Sequence, residues 1–205
     1  MPKVAIVNPN SQYVHMFKQR GWEVVDRLSD ADLVQFTGGE DVTPSYYNAV
    51  QHPTTHCNPT RDAFEKVIFE KCLAAGIPMV GICRGGQFLN VMSGGAMHQD
   101  VDGHAIGGTH LAFDETGRVV NVSSTHHQMM WPSDDATIVA FASEASYREN
   151  VYAIEGTFDD DIEVVYYKNT NCLCFQPHPE YPGFDDCQDY YFELIDRYFN
   201  MRAGE

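Results

Sequence analysis

The sequence predicts one α/β domain with a mostly parallel central sheet and an antiparallel addition. In the first half, strand-like apolar runs alternate with helical segments, as in α/β proteins. In the second half, strand-like segments follow one another with little helix between them. The chain has 205 residues, which is enough for one good core and short for two. We therefore expect residues 1–205 to form a single domain.

The first half supplies the parallel part of the predicted sheet. The run 77–82 is apolar throughout, which is typical of a central parallel strand, and Gly76 ends the helix before it. Helix 61–75 has apolar residues at helical spacing, and we expect them to form one buried face. That face comprises Phe64, Val67, Ile68, Cys72 and Leu73. The other elements expected here are strands at 3–7, 22–25 and 33–36, helices at 13–20 and from 88 to 92, and a loop at 44–59.

The second half supplies the antiparallel part and a last helix. Strands are expected at 119–123, 137–142, 151–155, 162–167 and 173–176. Residues 186–202 are predicted to form an amphipathic helix. Its apolar stripe comprises Tyr190, Tyr191, Leu194, Ile195 and Tyr198.

Composition and charge exclude several classes of function. The 29 acidic residues outnumber the 13 basic ones, giving a net charge of -16, so we expect neither nucleic acid nor an anionic membrane as a partner. No apolar run approaches the ~18 residues that a membrane span needs. The N-terminal apolar run ends at Asn8 without a small-residue cleavage site, so it is interpreted as a first strand. Together with six irregularly spaced cysteines, these features predict a cytoplasmic protein with free thiols.

Neither a metal site nor a cofactor site is predicted. Cys172 and Cys174 alternate along a strand and are expected to share a core-facing side. His52, His56 and Cys57 are the only other cluster resembling metal ligands. They lie in a loop rich in Pro, Thr and Asn and lack paired C-x-x-C spacing, so metal binding there is not favoured.

The strongest chemical signal surrounds Cys83. Gly81-x-Cys83-x-Gly85 lies between an apolar strand and a helix, which is the thiol counterpart of the G-x-S-x-G nucleophile elbow. The glycines allow a turn too tight for side chains. The helix N-terminus favours a thiolate, and the N–H of Arg84 could hold a developing oxyanion. A buried structural cysteine after a strand is the alternative that this segment alone leaves open.

A base for the thiol is predicted near the C-terminus. In Gln176-Pro177-His178-Pro179-Glu180, residues two apart in an extended chain face the same way, so His178 and Glu180 can lie side by side. The carboxylate would then fix the imidazole tautomer and stabilise its charged form. A surface His beside a surface Glu is the alternative.

A double glycine, Gly38-Gly39, follows the third predicted strand. Glycines let the backbone approach a ligand closely. We expect Gly39 to supply the second oxyanion N–H and Gly38 to line the substrate site. Many turns carry two glycines, so this signal is weak by itself.

These segments together resemble the class I glutamine amidotransferase superfamily, and within it the branch of γ-glutamyl hydrolases and γ-glutamyl-γ-aminobutyrate hydrolases. The matching stretches occur in the family order and cover most of the chain. They are residues 37–44, 61–65, 81–91, 94–101, 124–128 and 176–180. Residues 94–101 include Gly94-Gly95 and Gln99-Asp100-Val101, and residues 124–128 are Ser-Thr-His-His-Gln.

The resemblance implies a flavodoxin-like three-layer sandwich, a triad of Cys83, His178 and Glu180, and a γ-glutamyl thioester cleaved by water. It also implies that Gln87 and the loop 124–128 line the substrate pocket, with Ser124 and His126 favoured. Ser123 and Pro177 depart from the usual pattern, as does the loop 47–60. These departures leave open which amine is attached to the γ-glutamyl group of the substrate.

Two activities share this acyl chemistry, and the triad does not separate them. One is a free-standing hydrolase of a γ-glutamyl amine or peptide, which the Arg84-Gly85-Gly86-Gln87 elbow favours by resemblance. The other is a glutaminase subunit that passes ammonia to a synthetase partner. A third alternative is a non-catalytic binding module on the same fold.

Overall fold

The structure is a computed structural model that describes residues 1–142 and 160–202. Its strands in these ranges are β1 (Lys3–Val7), β2 (Glu23–Val25), β3 (Leu33–Phe36), β4 (Met79–Ile82), β5 (Ala96–His98), β6 (Gly108–Asp114), β7 (Val119–Ser124), β8 (Met129–Trp131), β9 (Thr137–Ala142), β10 (Ile162–Tyr167) and β11 (Cys172–Phe175). The helices are α1 (Ser11–Gln19), α2 (Pro59–Ala75), α3 (Arg84–Met92) and α4 (Asp185–Phe199). Short 3-10 helices lie at Leu28–Asp30 and Pro44–Tyr47.

Within the described residues, nine strands form one sheet in the order β2-β1-β3-β4-β11-β10-β9-β6-β7. The strands from β2 to β11 are parallel, and each strand from β10 onward is antiparallel to its neighbour. Strands β5 and β8 form a separate antiparallel pair. The parallel sheet with its antiparallel extension is therefore confirmed.

Helices cover both faces of this sheet and make three layers. On one face, α1 and α4 pack through residues such as Phe17, Tyr190 and Leu194. On the other face, α2 and α3 pack through Phe69 and Phe88. Apolar burial against a sheet is the main source of stability in such a fold.

Local sequence fixes where the helices begin and end. The side chain of Asn10 accepts hydrogen bonds from the first turn of α1, and that of Asn58 caps α2. Pro59 follows at the first helical position, where its missing N–H costs nothing. Helix α2 ends at Gly76, whose φ of 68° lies in the left-handed region that glycine adopts without strain.

The predicted buried face of α2 is wrong at three of its five residues, whereas Cys72 is buried and Ile68 packs against the core. Phe64, Val67 and Leu73 are among the exposed large apolar residues, whereas Asp62 and Glu65 are fully buried. Residues 62, 65, 69 and 72 repeat at helical spacing and form the inner face instead. The reason is the buried guanidinium of Arg84, which pairs with both carboxylates and turns them inward.

Most other predicted elements are present within a few residues of their expected bounds. Strands β5, β6 and β8 were not predicted. Two of them have only three residues, too few for a periodic signal, and β6 is half polar because it alternates between exposed and buried positions. The strand predicted at 151–155 lies outside the described residues.

Two further expectations concern free cysteines and membrane-spanning segments. All six cysteines are free, and Cys172 and Cys174 are fully buried in the core as predicted. None of the helices in the described residues has the length and apolar character needed to cross a membrane.

Candidate active site

Three neighbouring parallel strands bring the predicted site residues to one edge of the sheet. Strands β3, β4 and β11 lie side by side. Their carboxyl ends lead into Gly38-Gly39, Cys83 and His178, respectively. In open α/β sheets the crevice outside the carboxyl ends of the strands is the usual place for ligands.

The turn at Cys83 has the geometry of a nucleophile elbow. Cys83 has φ 50° and ψ -115°, a conformation that costs a non-glycine residue of order 1–3 kcal/mol and that collects at functional sites. Its N–H donates to the Phe175 carbonyl at 2.8 Å. A Cβ on Gly81 would overlap the backbone of Gly85, and one on Gly85 would overlap the Phe36 carbonyl. Both glycines are therefore required by close backbone packing.

His178 lies beside this thiol and is held by an acidic partner. Its Nδ1 is 2.7 Å from Glu180 Oε1, and both side chains are largely buried. Burial lowers the pKa of His178, but the adjacent Cys83 sulfur and then Glu180 outweigh it and raise that pKa to about 11. The geometry therefore favours a charged imidazole beside the Cys83 sulfur.

Ser123 fixes the backbone of the histidine. Its hydroxyl accepts from the His178 N–H at 2.6 Å, and Ser123 is fully buried. In the sequence, Ser123 is distinguished only as a departure from the usual family pattern. No local signal links it to His178, because the two positions are 55 residues apart.

Gly38 and Gly39 bring backbone against the cysteine and histidine. A Cβ on Gly38 would lie 3.2 Å from His178 Cε1 and 3.8 Å from the Cys83 Cβ. The Gly38 N–H donates to the Tyr13 hydroxyl at 2.9 Å, so it is already occupied. Gly39 has φ 143°, and Arg61 holds this loop by donating to the Gly38 carbonyl at 3.0 Å.

Tyr13 was predicted only as part of a helix, yet it contacts this site. Burial raises the pKa of its hydroxyl, and the nearby Glu180 carboxylate raises it further. The hydroxyl therefore stays protonated while it accepts from Gly38. Nothing in the sequence around Tyr13 distinguishes it from a core tyrosine.

The side chain of Arg84 faces away from the reacting centre. It is 1% exposed and forms ion pairs with Asp62 and Glu65. The guanidinium also lies over the Phe88 ring at 5.0 Å. The backbone of Arg84 begins α3 directly after Cys83, where its N–H belongs to the free donors of the first helical turn.

A cavity of about 230 Å³ opens in front of Cys83. Its lining comprises Gly39, Glu40, Asp41, His56, Cys83, Arg84, Gln87, Thr125, His126, His127 and Gln128. Gln87 donates to the side chain of Gln176 at 3.1 Å. Ser124 is not in this lining, and its buried hydroxyl donates to the His104 carbonyl at 2.9 Å.

Two histidines of the 124–128 loop differ in what they can offer a ligand. His126 Nδ1 is 2.9 Å from the Gln128 carbonyl, and its Nε2 is 3.6 Å from Glu163. His126 thus presents its ring but no free donor to the cavity. His127, which was predicted only as one residue of the pocket-lining loop, lines the cavity and pairs with Asp41 at 3.2 Å. That hydrogen bond, opposed by burial, raises the pKa of His127.

One group of potential metal ligands converges in the described residues, namely His104, His126 and Glu163. His52, His56 and Cys57 do not form such a group. His52 instead contacts the Thr54 hydroxyl at 2.7 Å. His104 and Glu163 had no signal in the sequence, because the three residues lie on separate segments.

Comparisons with known proteins agree with this architecture. Residues 13–180 match the Peptidase C26 family. A Mycobacterium tuberculosis protein named "Putative glutamine amidotransferase Rv2859c" is 36% identical over 133 residues, which cover 55% of this chain and 43% of that protein. The chain thus spans less than half of that relative's length. The carbamoyl phosphate synthase small chain of Escherichia coli is 27% identical over 79% of this chain and 41% of its own length.

Solved structures agree on the fold. The structure of PurLQS from Thermotoga maritima superposes with a TM-score of 0.67 at 20% identity, covering 96% of this chain and 98% of that one. A glutamine amidotransferase from the same organism gives a TM-score of 0.63 at 16% identity, covering 96% of this chain and 84% of that one. The family match extends from Tyr13 to Glu180, and so includes the elbow, the double glycine and the His-Glu pair. This chain belongs to the Peptidase C26 family and has the class I glutamine amidotransferase fold.

Proposed function

We propose that this chain is a cysteine-dependent hydrolase that cleaves a γ-glutamyl amide through a thioester on Cys83. One observation carries the proposal: Cys83 has a positive φ at a strand-to-helix elbow, directly beside a histidine that is oriented by Glu180. A strained nucleophile with an oriented base is the arrangement of covalent acyl transfer.

In the proposed reaction, the Cys83 thiolate attacks the γ-carbonyl carbon of the substrate. The C–N bond breaks as the His178 imidazolium gives its proton to the leaving nitrogen, which departs as a neutral amine or ammonia. A water then attacks the thioester, and neutral His178 takes one of its protons. Glutamate and the Cys83 thiolate result, and the imidazolium is restored.

Backbone donors would stabilise the oxyanion formed in both halves of the reaction. We assign this role to the N–H groups of Gly39 and Arg84, because both residues border the cavity next to Cys83. Such donors are each worth roughly 10²–10³ in kcat. Gly38 and Gln87 would shape the pocket, and Ser124 and His126 would support its wall.

The alternative is a glutaminase subunit that delivers ammonia to a synthetase partner. The similarity to a protein named the small chain of carbamoyl phosphate synthase supports this alternative. The same Cys83, His178 and Glu180 would perform the acyl chemistry, and only the fate of the released nitrogen would differ.

The central test is covalent trapping of Cys83. A glutamine-mimicking electrophile should add once to the purified chain, at Cys83, as located by peptide mass spectrometry. Cys83→Ala should abolish labelling and reduce γ-glutamyl turnover by on the order of 10⁴-fold or more. Cys57→Ala is the matched control, because Cys57 is the other cysteine that is not buried. Turnover that survives in Cys83→Ala would overturn the proposal and favour a non-catalytic binding module.

A second measurement separates the two activities. The chain alone is assayed against glutamine and a panel of γ-glutamyl amines and peptides. Release of glutamate from a γ-glutamyl amine without a partner supports the hydrolase. Labelling of Cys83 without turnover of any of these amides supports the synthetase subunit.

A further inference from the structure

A cluster of histidines and carboxylates lies behind the cavity wall, outside the proposed acyl machinery. It comprises His104, His110, His126, Asp161 and Glu163. His104 and His126 are 4% and 3% exposed, and Glu163 is fully buried. Buried polar groups need hydrogen-bond partners, so the contacts within this cluster determine which of its atoms can bind a ligand.

Each of the two most buried histidines already uses one ring nitrogen. Nε2 of His104 is 2.9 Å from Asp161 Oδ2, and Nδ1 of His126 is 2.9 Å from the Gln128 carbonyl. Both oxygens are acceptors, so these nitrogens carry the protons. The opposite nitrogens, His104 Nδ1 and His126 Nε2, then bear lone pairs in the neutral rings.

These two lone pairs converge on the same carboxylate. His104 Nδ1 is 3.4 Å and His126 Nε2 is 3.6 Å from Glu163 Oε1. Both nitrogens, as well as Glu163 Oε2, are buried without a hydrogen-bond partner. The two ring nitrogens and Glu163 Oε2 have no donor, whereas Glu163 Oε1 is contacted by His110 Nε2. Buried acceptors without donors are unfavourable, and a cation between them would remove the conflict.

We infer that His104 Nδ1, His126 Nε2 and the Glu163 carboxylate bind one divalent transition-metal ion, with Zn²⁺ the best match. The three ligand atoms lie within 4.8 Å of one another. Tetrahedral zinc with N and O ligands at ~2.0–2.2 Å requires ligand atoms about 3.4 Å apart. The two distances to Glu163 Oε1, 3.4 and 3.6 Å, match this spacing. The bound of 4.8 Å on the whole group is wider, so the two imidazole rings would draw closer together on binding.

The surroundings of the three ligands also suit a metal site. Metal-binding histidines usually donate their second nitrogen to a carboxylate or a carbonyl, as His104 does to Asp161 and His126 does to Gln128. The ligating carboxylate is also held, because His110 Nε2 lies 3.0 Å from Glu163 Oε1. Imidazole and carboxylate without thiolate favour Zn²⁺ and similar ions over soft ones.

The ion would act on the cavity through His126, which also borders it. Binding would fix this ring and the loop that carries His127 and Gln128. The site is separate from Cys83, so it takes no part in the acyl transfer proposed above, and its test does not depend on that proposal.

The experiment is titration of the chelator-treated 205-residue chain with Co²⁺, followed by its visible d–d absorption, and competition with Zn²⁺. We expect one ion per chain, displaced by Zn²⁺. His104→Asn and Glu163→Gln should each weaken binding by 100-fold or more. Asp161→Asn, which keeps all three ligands, should weaken it by about 10–100-fold.

Two controls exclude other sites on the chain. His15→Asn removes an exposed histidine, and Cys83→Ala removes the reactive thiol, so both variants should bind as the parent does. Binding that is lost in Cys83→Ala and retained in Glu163→Gln would overturn the inference. Failure of the parent chain to bind Co²⁺ or Zn²⁺ would also overturn it.

A measurement on the parent chain covers the case in which the variants do not fold. X-ray absorption at the zinc edge should show only N and O neighbours at roughly 2.0–2.2 Å. A sulfur neighbour at about 2.3 Å would place the ion on a cysteine and contradict the inference.

Discussion

Two buried charged clusters flank the elbow, and they differ in how completely their members are paired. In the first, Arg84 pairs with Asp62 and Glu65. The Thr43 N–H also donates to Asp62 at 2.9 Å, and Asn8 donates to Glu65 at 2.7 Å. Arg84 is always charged, so this cluster has a fixed charge and most of its oxygens are used.

The second cluster, His104, His126 and Glu163 with their neighbours, keeps lone pairs without donors. Its imidazole nitrogens can bind a metal ion, which a guanidinium cannot do. The first cluster therefore has the character of a fixed support that joins α2 to the start of α3. The second can change its state by binding a cation. The difference shows that burial alone does not tell a structural ion pair from a ligand site.

The largest effect is expected from the fixed cluster. Arg84→Met leaves Asp62 buried without a cation and Glu65 with Arg61 alone, at 2.8 Å. Breaking a buried pair from one side costs about 3–5 kcal/mol, and urea denaturation should show this loss in the free energy of unfolding. Adding Asp62→Asn to Arg84→Met should restore part of it, because Glu65 keeps Arg61 and no unpaired charge then remains.

The control for Arg84→Met is Arg27→Met, since Arg27 pairs with Asp30 at 3.0 Å on the surface. Exposed pairs contribute about 0–1 kcal/mol. Equal losses in the two arginine variants would show that the buried cluster is not a support.

The two clusters also differ in how well the sequence predicts them. The elbow around Cys83 and the pair of His178 and Glu180 are visible, because their constraints fall on residues close in the chain. Nothing in the sequence marks Asp62 and Glu65 as buried, since carboxylates are rarely buried unless paired. Their partner, Arg84, is 19 residues beyond Glu65, too far for helical periodicity to show it.

The histidine cluster could not be predicted at all. Its members come from the segment before β6, the loop after β7 and the strand β10, and His104 and Asp161 are 57 residues apart. Only the strand order, in which β10 and β9 lie between β11 and β6, gives their placement. The antiparallel part of the sheet was expected, but β6 and its register were not.

An intermediate effect is expected from the second cluster. Glu163→Gln, measured with a chelator present, should cost about 1–3 kcal/mol of unfolding free energy, the usual penalty for a disrupted buried hydrogen bond. The loss should be smaller than that of Arg84→Met, because no guanidinium loses its partner and the Gln oxygen can still accept from His110.

The surface control for Glu163→Gln is Glu23→Gln, which removes a half-exposed carboxylate and should change stability by less than about 0.5 kcal/mol. If Glu163→Gln cost as much as Arg84→Met, Glu163 would be as fixed a part of the core as the carboxylates that pair with Arg84. The distinction between a fixed and a changeable cluster would then fail.

The smallest effect is expected where neither cluster is involved, at the Tyr13 hydroxyl. Tyr13→Phe removes the acceptor of the Gly38 N–H and so loosens the loop that carries Gly39. One neutral hydrogen bond is worth about 0.5–1.5 kcal/mol, so kcat should fall by roughly 2–12-fold with little change in KM. The rate of Cys83 labelling should fall in parallel.

The control is Tyr198→Phe, which loses a hydrogen bond to Glu115 outside the site and should leave both rates unchanged. A Tyr13→Phe enzyme with the parent kcat would mean that the two glycines hold their position through Arg61 and backbone packing alone.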